Sequence, residues 1–186
     1  MTEELPRGAR VALEIMSKDD EASLLDEIER WPGGWERPIL RAGLLPARRE
    51  MRCFGWTYVT RGRMLVRCEP LPADMATSLR GCLAKADLSE ALLEQVIVTR
   101  YGEGAGIGWH TDAPVFGETV ATLSLGIDWR MEFRRRAGER AMKVPLPRRS
   151  LLVLADESRT DWQHRIPAVR ATRISLSFRT VVETAS

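Results

Sequence analysis

Apolar residues in the first half of the chain recur at helical spacing. Residues 19–31 carry an apolar stripe that ends at Pro32-Gly33-Gly34, which predicts an amphipathic helix. The stripe consists of Leu24, Leu25, Ile28 and Trp31. A second helix is predicted over residues 72–85, because Pro72 suits a first helical turn. The side chains expected on its buried face are Met75, Leu79, Cys82 and Leu83.

From residue 94 onward the pattern changes to short apolar runs separated by turn residues. These runs predict strands at residues 94–101, 119–126, 130–136, 140–145, 149–154 and 172–182. Residues 137–139 (Ala-Gly-Glu) indicate a hairpin turn, and the aromatic stretch 54–58 indicates an additional hairpin. Helices followed by about six strands predict an α+β protein with an antiparallel sandwich or barrel.

Length and composition indicate one globular domain. The chain has 186 residues, of which 44% are hydrophobic and 29% charged. We expect helical support from residues 1–44, extra hairpins from residues 45–71 and a β core from residues 94–182. No run approaches the roughly 18 apolar residues of a membrane span, and the N-terminus lacks a signal-peptide core. We therefore expect a cytoplasmic monomer that has no membrane association and no obligate protein partner.

Cysteine usage and charge narrow the function classes only slightly. Cys53, Cys68 and Cys82 form an odd set without CxxC spacing, so free thiols are favoured over zinc or disulfide sites. The net charge is +2, and lysine occurs only at Lys18, Lys85 and Lys143. The many arginines suit phosphates and base edges, but a GC-rich genome explains them equally simply. A nucleic-acid partner is permitted by this composition and not shown by it.

Two histidines and one aspartate form the candidate metal site. His110 precedes Asp112 by two residues, and such residues share one face of an extended strand. His164, the only other histidine, would complete a two-His, one-carboxylate face that suits Fe(II) oxygenases. A hydrogen-bonded surface pair is the simpler explanation of His-x-Asp when it stands alone.

The C-terminal strand supplies a second, independent feature. Its alternation places Arg173, Ser175, Ser177 and Arg179 on one face, and Ile174, Leu176 and Phe178 on the other. Buried arginines are costly unless they pair with anions, and a short dicarboxylate such as 2-oxoglutarate would fit between these two. An outward-facing arginine row that keeps the strand soluble is the alternative.

These motifs together resemble the AlkB family of Fe(II)/2-oxoglutarate-dependent dioxygenases. The resemblance covers about residues 45–182 and rests on RYGEGAGIGWHTD at residues 100–112 and on the arginine strand at residues 173–179. Two shorter motifs add to it, Ser124-Leu125-Gly126 and Glu157-Ser158-Arg159 ahead of His164-Arg165-Ile166-Pro167. The fold implied is a double-stranded β-helix (jelly-roll) core with N-terminal helices packed on one side.

The resemblance also implies roles for individual residues. The iron ligands would be His110, Asp112 and His164. The residues that would bind 2-oxoglutarate are Tyr101, Arg173, Arg179, Thr99 and Ser175. Arg173 would pair with the distal carboxylate and Arg179 would lie near the carboxylate that joins the iron. Thr99 and Ser175 stand where relatives place Asn.

The activity implied is oxidative demethylation of N-alkylated nucleobases, as in DNA repair by dealkylation, with formaldehyde, succinate and CO2 as products. The residues expected to contact the nucleic acid are Arg52, Trp56, Tyr58 and Trp109; core packing is the simpler explanation for such aromatics. Pro114 replaces a second acid of the founding repair enzyme, and Asp156 replaces a common Gly. Two alternatives stay open: the same chemistry on a protein side chain or a tRNA modification, and a non-catalytic nucleic-acid-binding module.

Overall fold

The computed structural model describes residues 5–39, 46–59 and 64–182. The expected boundary between residues 44 and 45 lies outside these ranges. The three α-helices are α1 (Lys18–Glu29), α2 (Ala73–Lys85) and α3 (Asp156–Thr160). The first six strands are β1 (Arg10–Ala12), β2 (Glu50–Phe54), β3 (Trp56–Val59), β4 (Met64–Arg67), β5 (Gln95–Tyr101) and β6 (Ile107–His110). The remaining strands are β7 (Phe116–Leu125), β8 (Trp129–Arg134), β9 (Met142–Leu146), β10 (Ser150–Leu154), β11 (Gln163–Ile166) and β12 (Arg173–Val181).

Both predicted amphipathic helices form. Helix α1 begins after Ser17, whose hydroxyl accepts a hydrogen bond from the Asp20 backbone N–H. The Asp20 carboxylate accepts in return from the Ser17 backbone, which completes a capping box. Helix α2 begins directly after Pro72, and its predicted apolar face is buried. None of the helices in the described ranges is long and apolar enough to cross a membrane.

The strands form two facing antiparallel sheets. The larger sheet has the order β1-β10-β7-β12-β5-β2, and the smaller sheet has the order β6-β11-β8-β9. Strands β3 and β4 pair separately. Helices α1 and α2 pack on the outer face of the larger sheet, where Ile28 and Leu79 join a core with Leu176 of β12. A second apolar cluster, with Phe133 at its centre, lies between the two sheets.

Strands β6 and β11, which carry His110 and His164, were not predicted from the sequence. Strands β6 and β11 have four residues each, and Gly104 and Gly106 before β6 mask an apolar pattern. The expected hairpin at residues 54–58 forms differently. Gly55, at φ +75°, separates β2 from β3, and β3 turns back onto β4 instead. An added Cβ at Gly55 would lie 2.1 Å from the Glu94 carbonyl oxygen, so the bend requires glycine.

One buried carboxylate joins helix α1 to the larger sheet. Glu21 is fully buried and accepts hydrogen bonds from Arg148, Arg149 and the Gly126 backbone N–H. Burial would raise the pKa of Glu21, but these donors outweigh it and hold the pKa below its ordinary value. This role was not predicted from the sequence, because an isolated acid on the apolar face of a helix only interrupts the hydrophobic pattern.

We expect Glu21→Leu to lower the free energy of unfolding by about 3 kcal/mol, since two guanidinium groups would lose their buried partner. Because the folded pKa is depressed, the stabilisation exists above the unfolded pKa and disappears as the pH falls through the folded pKa. Urea unfolding at neutral and at acidic pH measures both. Asp20→Ala, which removes the exposed N3 partner of the capping box on the same helix, should cost much less. An equal loss for both variants would contradict the anchoring role.

Candidate active site

A cavity of about 1070 Å³ opens between the two sheets. The inner faces of β2, β5, β7 and β12 line it on one side, and β6, β8 and β11 line it on the other. Strand alternation brings Arg173, Ser175, Ser177 and Arg179 into this cavity, while Leu176 and its apolar neighbours face the helices. The predicted two-faced character of the last strand is therefore confirmed.

The three candidate metal ligands lie together on the wall of the cavity. His110 is the last residue of β6, Asp112 follows two residues later, and His164 is the direct cross-strand neighbour of His110. One ligand atom from each residue lies within 4.8 Å of the others. The Nε2 atom of His164 is 3.7 Å from Oδ2 of Asp112. Sheet register thus converts a separation of more than fifty residues into one compact donor set.

Hydrogen bonding and burial prepare both imidazoles for a metal. Nδ1 of His110 lies 2.8 Å from the Gly108 carbonyl oxygen, which can only accept, so Nδ1 carries the proton and Nε2 is free. Burial, with a smaller contribution from the neighbouring His110, lowers the pKa of His164 to about 4. His164 is therefore neutral at physiological pH, as a metal ligand must be.

Asp112 supplies the negative charge. Burial would raise the pKa of Asp112, but Arg179 and the two histidines hold it below its ordinary value. Nη1 of Arg179 donates to Oδ1 of Asp112 at 2.7 Å, which leaves Oδ2 directed at His164. Two imidazoles and one carboxylate form a donor set that fits Fe(II).

A buried arginine fixes the loop that carries Asp112. The guanidinium of Arg159 donates to the backbone carbonyls of Asp112, Ala113 and Phe116. Only 5% of Arg159 is exposed. The Glu157-Ser158-Arg159 motif was noticed in the sequence, but its action on the metal loop was not, because the loop and the motif are far apart along the chain.

Arg173 is a fully buried cation that lacks an acidic partner among the described residues. Its Nη2 donates to the Ser124 hydroxyl at 2.8 Å, and its guanidinium lies 5.3 Å from the centre of the Tyr101 ring. Its Nε and Nη1 atoms are buried and have no hydrogen-bond partner within the described ranges. Burial lowers the pKa of Arg173, partly opposed by Tyr101. An anion in the cavity would satisfy these two donors.

Two cavity residues were missed by the sequence interpretation. Gln95, at the start of β5, is fully buried and accepts from Nε of Arg179, which fixes the guanidinium against Asp112. Arg49, just before β2, brings a fourth guanidinium to the cavity, after those of Arg159, Arg173 and Arg179, and burial lowers its pKa. Neither Gln95 nor Arg49 belongs to a motif noted in the sequence; Gln95 takes its role from the β5–β12 pairing, where it lies opposite Arg179.

The four residues expected to contact nucleic acid do not come together. Tyr58 lines the cavity, and its ring packs edge-on against Phe116, with the ring centres 6.0 Å apart. On the separate hairpin, the guanidinium carbon of Arg67 lies 3.9 Å from the centre of the Trp56 ring. Arg52 points away from the cavity and pairs with Glu69 at 2.7 Å. The side chain of Trp109 lies on the opposite face of β6 from the cavity.

The two departures from the family pattern have different structural consequences. Pro114 lines the cavity two residues after Asp112, so an apolar ring occupies that part of the wall. Asp156 has φ +48°, a left-handed conformation that glycine adopts without strain. The second substitution therefore changes local backbone energy at the start of α3 and leaves the cavity lining unchanged.

Residues 8–179 match the 2OG-Fe(II) oxygenase superfamily. The tRNA (carboxymethyluridine(34)-5-O)-methyltransferase ALKBH8 of Macaca fascicularis is 32% identical over 167 residues, covering 87% of this chain and 24% of that protein. The alpha-ketoglutarate-dependent dioxygenase alkB homolog 3 of Homo sapiens is 32% identical over 94 residues, covering 42% of this chain and 33% of that protein. The chain thus spans a quarter to a third of the length of these relatives.

Two solved structures share the fold at low sequence identity. OsALKBH1 superimposes with a TM-score of 0.74 at 18% identity, over 96% of this chain and 99% of the other. A prolyl hydroxylase from Trichoplax adhaerens gives 0.64 at 14% identity, over 94% and 83% of the two chains. The expected α+β double-stranded β-helix is confirmed.

Proposed function

Because the chain belongs to the 2OG-Fe(II) oxygenase superfamily, we propose that it oxidatively demethylates N-alkylated nucleobases in DNA or RNA. It is an AlkB-like dioxygenase, and its cofactor and co-substrates are Fe(II), 2-oxoglutarate and O2. The observation that carries the substrate proposal is the Tyr58–Phe116 aromatic pair, which lines the same cavity as the metal donors. A flipped base stacks on such rings.

In this proposal His110, Asp112 and His164 hold the iron. Iron held by these residues would supply the chemistry that, with 2-oxoglutarate and O2, hydroxylates a C–H bond of the substrate, with succinate and CO2 as the other products. The polypeptide supplies positioning: Arg179 orients the Asp112 carboxylate, and Arg159 holds the loop behind it.

The 2-oxoglutarate subsite is proposed on the inner face of β12 and β5. Arg173 would receive the distal carboxylate on its two unpartnered nitrogens, beside the Tyr101 ring. Thr99 and Ser175 lie opposite one another in the β5–β12 register and line the same subsite. Their short hydroxyl side chains replace the larger amides of relatives, and Arg49 adds positive charge nearby.

A second candidate substrate is a modified uridine or another nucleoside of tRNA. The observation that favours it is the similarity of 87% of this chain to ALKBH8, a protein named for its action on a tRNA uridine. The apolar Pro114 ring at the cavity wall also favours a substrate other than that of the founding repair enzyme. Both candidates require the same iron and 2-oxoglutarate sites.

The deciding experiment measures formaldehyde release from oligonucleotides that carry 1-methyladenine or 3-methylcytosine, in single- and double-stranded DNA and RNA. We expect formaldehyde in at least one form, with stoichiometric succinate. Succinate without formaldehyde from any of these substrates would contradict the demethylase proposal and favour the tRNA uridine. The same assay on transfer RNA would then follow.

Tyr58→Ala should raise KM for the methylated oligonucleotide about tenfold, because stacking on one aromatic ring contributes about 1–3 kcal/mol. The rate of 2-oxoglutarate turnover without nucleic acid should stay unchanged, since Tyr58 contacts no proposed iron ligand. Tyr58→Phe is the matched control: it keeps the ring and should retain the wild-type KM. A Tyr58→Ala enzyme with unaltered KM would exclude this residue as the stacking platform.

A further inference from the structure

The outer face of the four-stranded sheet is rich in cations. Strand alternation directs Arg130 and Arg134 of β8 outward, together with Arg165 of β11 and Lys143 of β9. Glu132 of β8 is the one acidic residue among the described residues of these four strands. Four cations and one anion give the face a charge of about +3, in a protein whose whole formal charge is +2.

Only part of this positive charge is neutralised within the protein. Glu132 is buried, with Arg130 on Oε1 at 3.0 Å and Arg165 on Oε2 at 2.7 Å. Arg134 donates to the neutral amide of Gln163 at 3.0 Å. Arg134 and the exposed Lys143 form no ion pair within the described ranges. These two cations are therefore available to an external anion.

An aromatic ring lies among the cations. The guanidinium carbons of Arg134 and Arg165 lie 4.3 Å and 4.6 Å from the centre of the Trp109 ring. These contacts place the half-buried Trp109 on the same outer face. A planar ring beside arginines, with phosphate-binding cations next to it, is the combination that holds single-stranded nucleic acid.

The face is continuous with the entrance of the cavity. Strand β6 is the edge strand of the sheet, and Trp109 directly precedes His110. The residues that follow His110, from Thr111 to Pro114, line the cavity. A nucleic-acid strand on the outer face can therefore pass round the β6 edge and present one nucleotide to the metal site.

We propose that the outer face of the four-stranded sheet, centred on Trp109, Arg134 and Lys143, binds the phosphodiester backbone of the substrate strand next to the reacting nucleotide. The inference rests on the proposed nucleic-acid function of the cavity and adds a second site to it. Its chemistry, phosphate oxygens bound by cations that pack against Trp109, is shared by single-stranded DNA and RNA.

The test is salt-dependent binding of fluorescent dT12 and U12 to the full chain and to Arg134→Gln/Lys143→Gln. We expect the double variant to raise Kd for both oligonucleotides about tenfold at low salt. The slope of log Kd against log salt should fall by about 1.4, because each lost phosphate contact contributes about 0.7 on a single strand. A loss confined to U12 or dT12 would overturn a site built on shared phosphate contacts.

Lys18→Gln/Arg80→Gln is the charge-matched control, because both residues are exposed on the helices, which pack against the other sheet. It should bind both oligonucleotides as the wild type does. Equal losses in the two double variants would overturn the proposal, since they would report net charge alone.

Turnover separates this proposal from the proposed function. With a methylated trinucleotide, too short to span both sites, the double variant should match the wild type; with a methylated 12-mer its KM should rise about tenfold. Demethylation with the same KM in both proteins would overturn the outer-face site and leave the proposed function intact. If no methylated substrate is demethylated, while the double variant still binds dT12 and U12 more weakly than the wild type, only the demethylase proposal is overturned.

Discussion

Replacing His164 with alanine should abolish 2-oxoglutarate turnover while the chain still folds. Nε2 of His164 lies 3.7 Å from Oδ2 of Asp112. The buried, neutral imidazole of His164 supplies one of the three ligand atoms that lie within 4.8 Å of one another. Loss of a group that merely supports a ligand costs 10- to 100-fold in metal affinity, so loss of a ligand should cost more than about 100-fold. Anaerobic Fe(II) titration and Fe(II)-dependent succinate formation measure the two effects separately.

A packing control distinguishes ligand loss from a damaged core. Phe133 lies 6.0 Å from the His164 ring and contributes no donor atom. Phe133→Leu should lower the melting temperature and retain Fe(II) binding, whereas His164→Ala should lose Fe(II) binding. His110→Ala, at a half-buried position, should reproduce the loss with a smaller effect on folding. Wild-type succinate formation by either histidine variant would refute the proposed triad.

The metal constellation was accessible from sequence because its parts are scarce. The chain has two histidines, and one of them stands two residues from Asp112, so few combinations could be considered. The inward face of β12 followed from alternation alone, since Arg173 and Arg179 share parity over a regular strand. Where a pattern is both rare and regular, the sequence predicts placement without a structure.

The positions that sequence missed depend on pairing between distant strands. Gln95 acquires its role only because β5 pairs with β12, where it lies directly opposite Arg179. Arg52 carried the expected residue type for phosphate contact, but its parity on β2 turns it away from the cavity and toward Glu69. A shift of one residue along a strand moves every side chain to the other face of the sheet. The sequence before β2 has no regular pattern from which the inward-facing positions could be predicted.

Sequence and structure each contributed to the assignment of Trp109 to the outer face of the four-stranded sheet. Trp109 was selected from sequence because it adjoins a candidate ligand, which predicted contact with a substrate in the cavity. In the structure the Trp109 ring contacts the guanidinium groups of Arg134 and Arg165 instead. The residue type suggested nucleic acid, and the sheet geometry is what led us to propose the outer face as the surface that binds it.

Arg173→Met should raise KM for 2-oxoglutarate at least about 30-fold and at the same time stabilise the protein free of 2-oxoglutarate. Breaking a buried, hydrogen-bonded charge pair costs about 2–5 kcal/mol of binding, and each 1.4 kcal/mol is tenfold. Met has similar length and no charge to desolvate, while Arg173 leaves Nε and Nη1 buried without partners in the described residues. Removing an unpaired buried cation relieves a desolvation cost.

The two opposite signs make the Arg173 prediction selective. Steady-state kinetics against 2-oxoglutarate give KM, and thermal melts with and without 2-oxoglutarate give the stability and its ligand-induced increase. Ser175→Ala, a neighbour on the same face without a charge, should change KM by less than about tenfold. If Arg173 served only to hold the core together, its replacement would lower the melting temperature and leave KM unchanged. If Arg173 instead binds the dicarboxylate, the Arg173→Met protein should have a higher melting temperature than the wild type without 2-oxoglutarate. It should gain little further stability when 2-oxoglutarate is added.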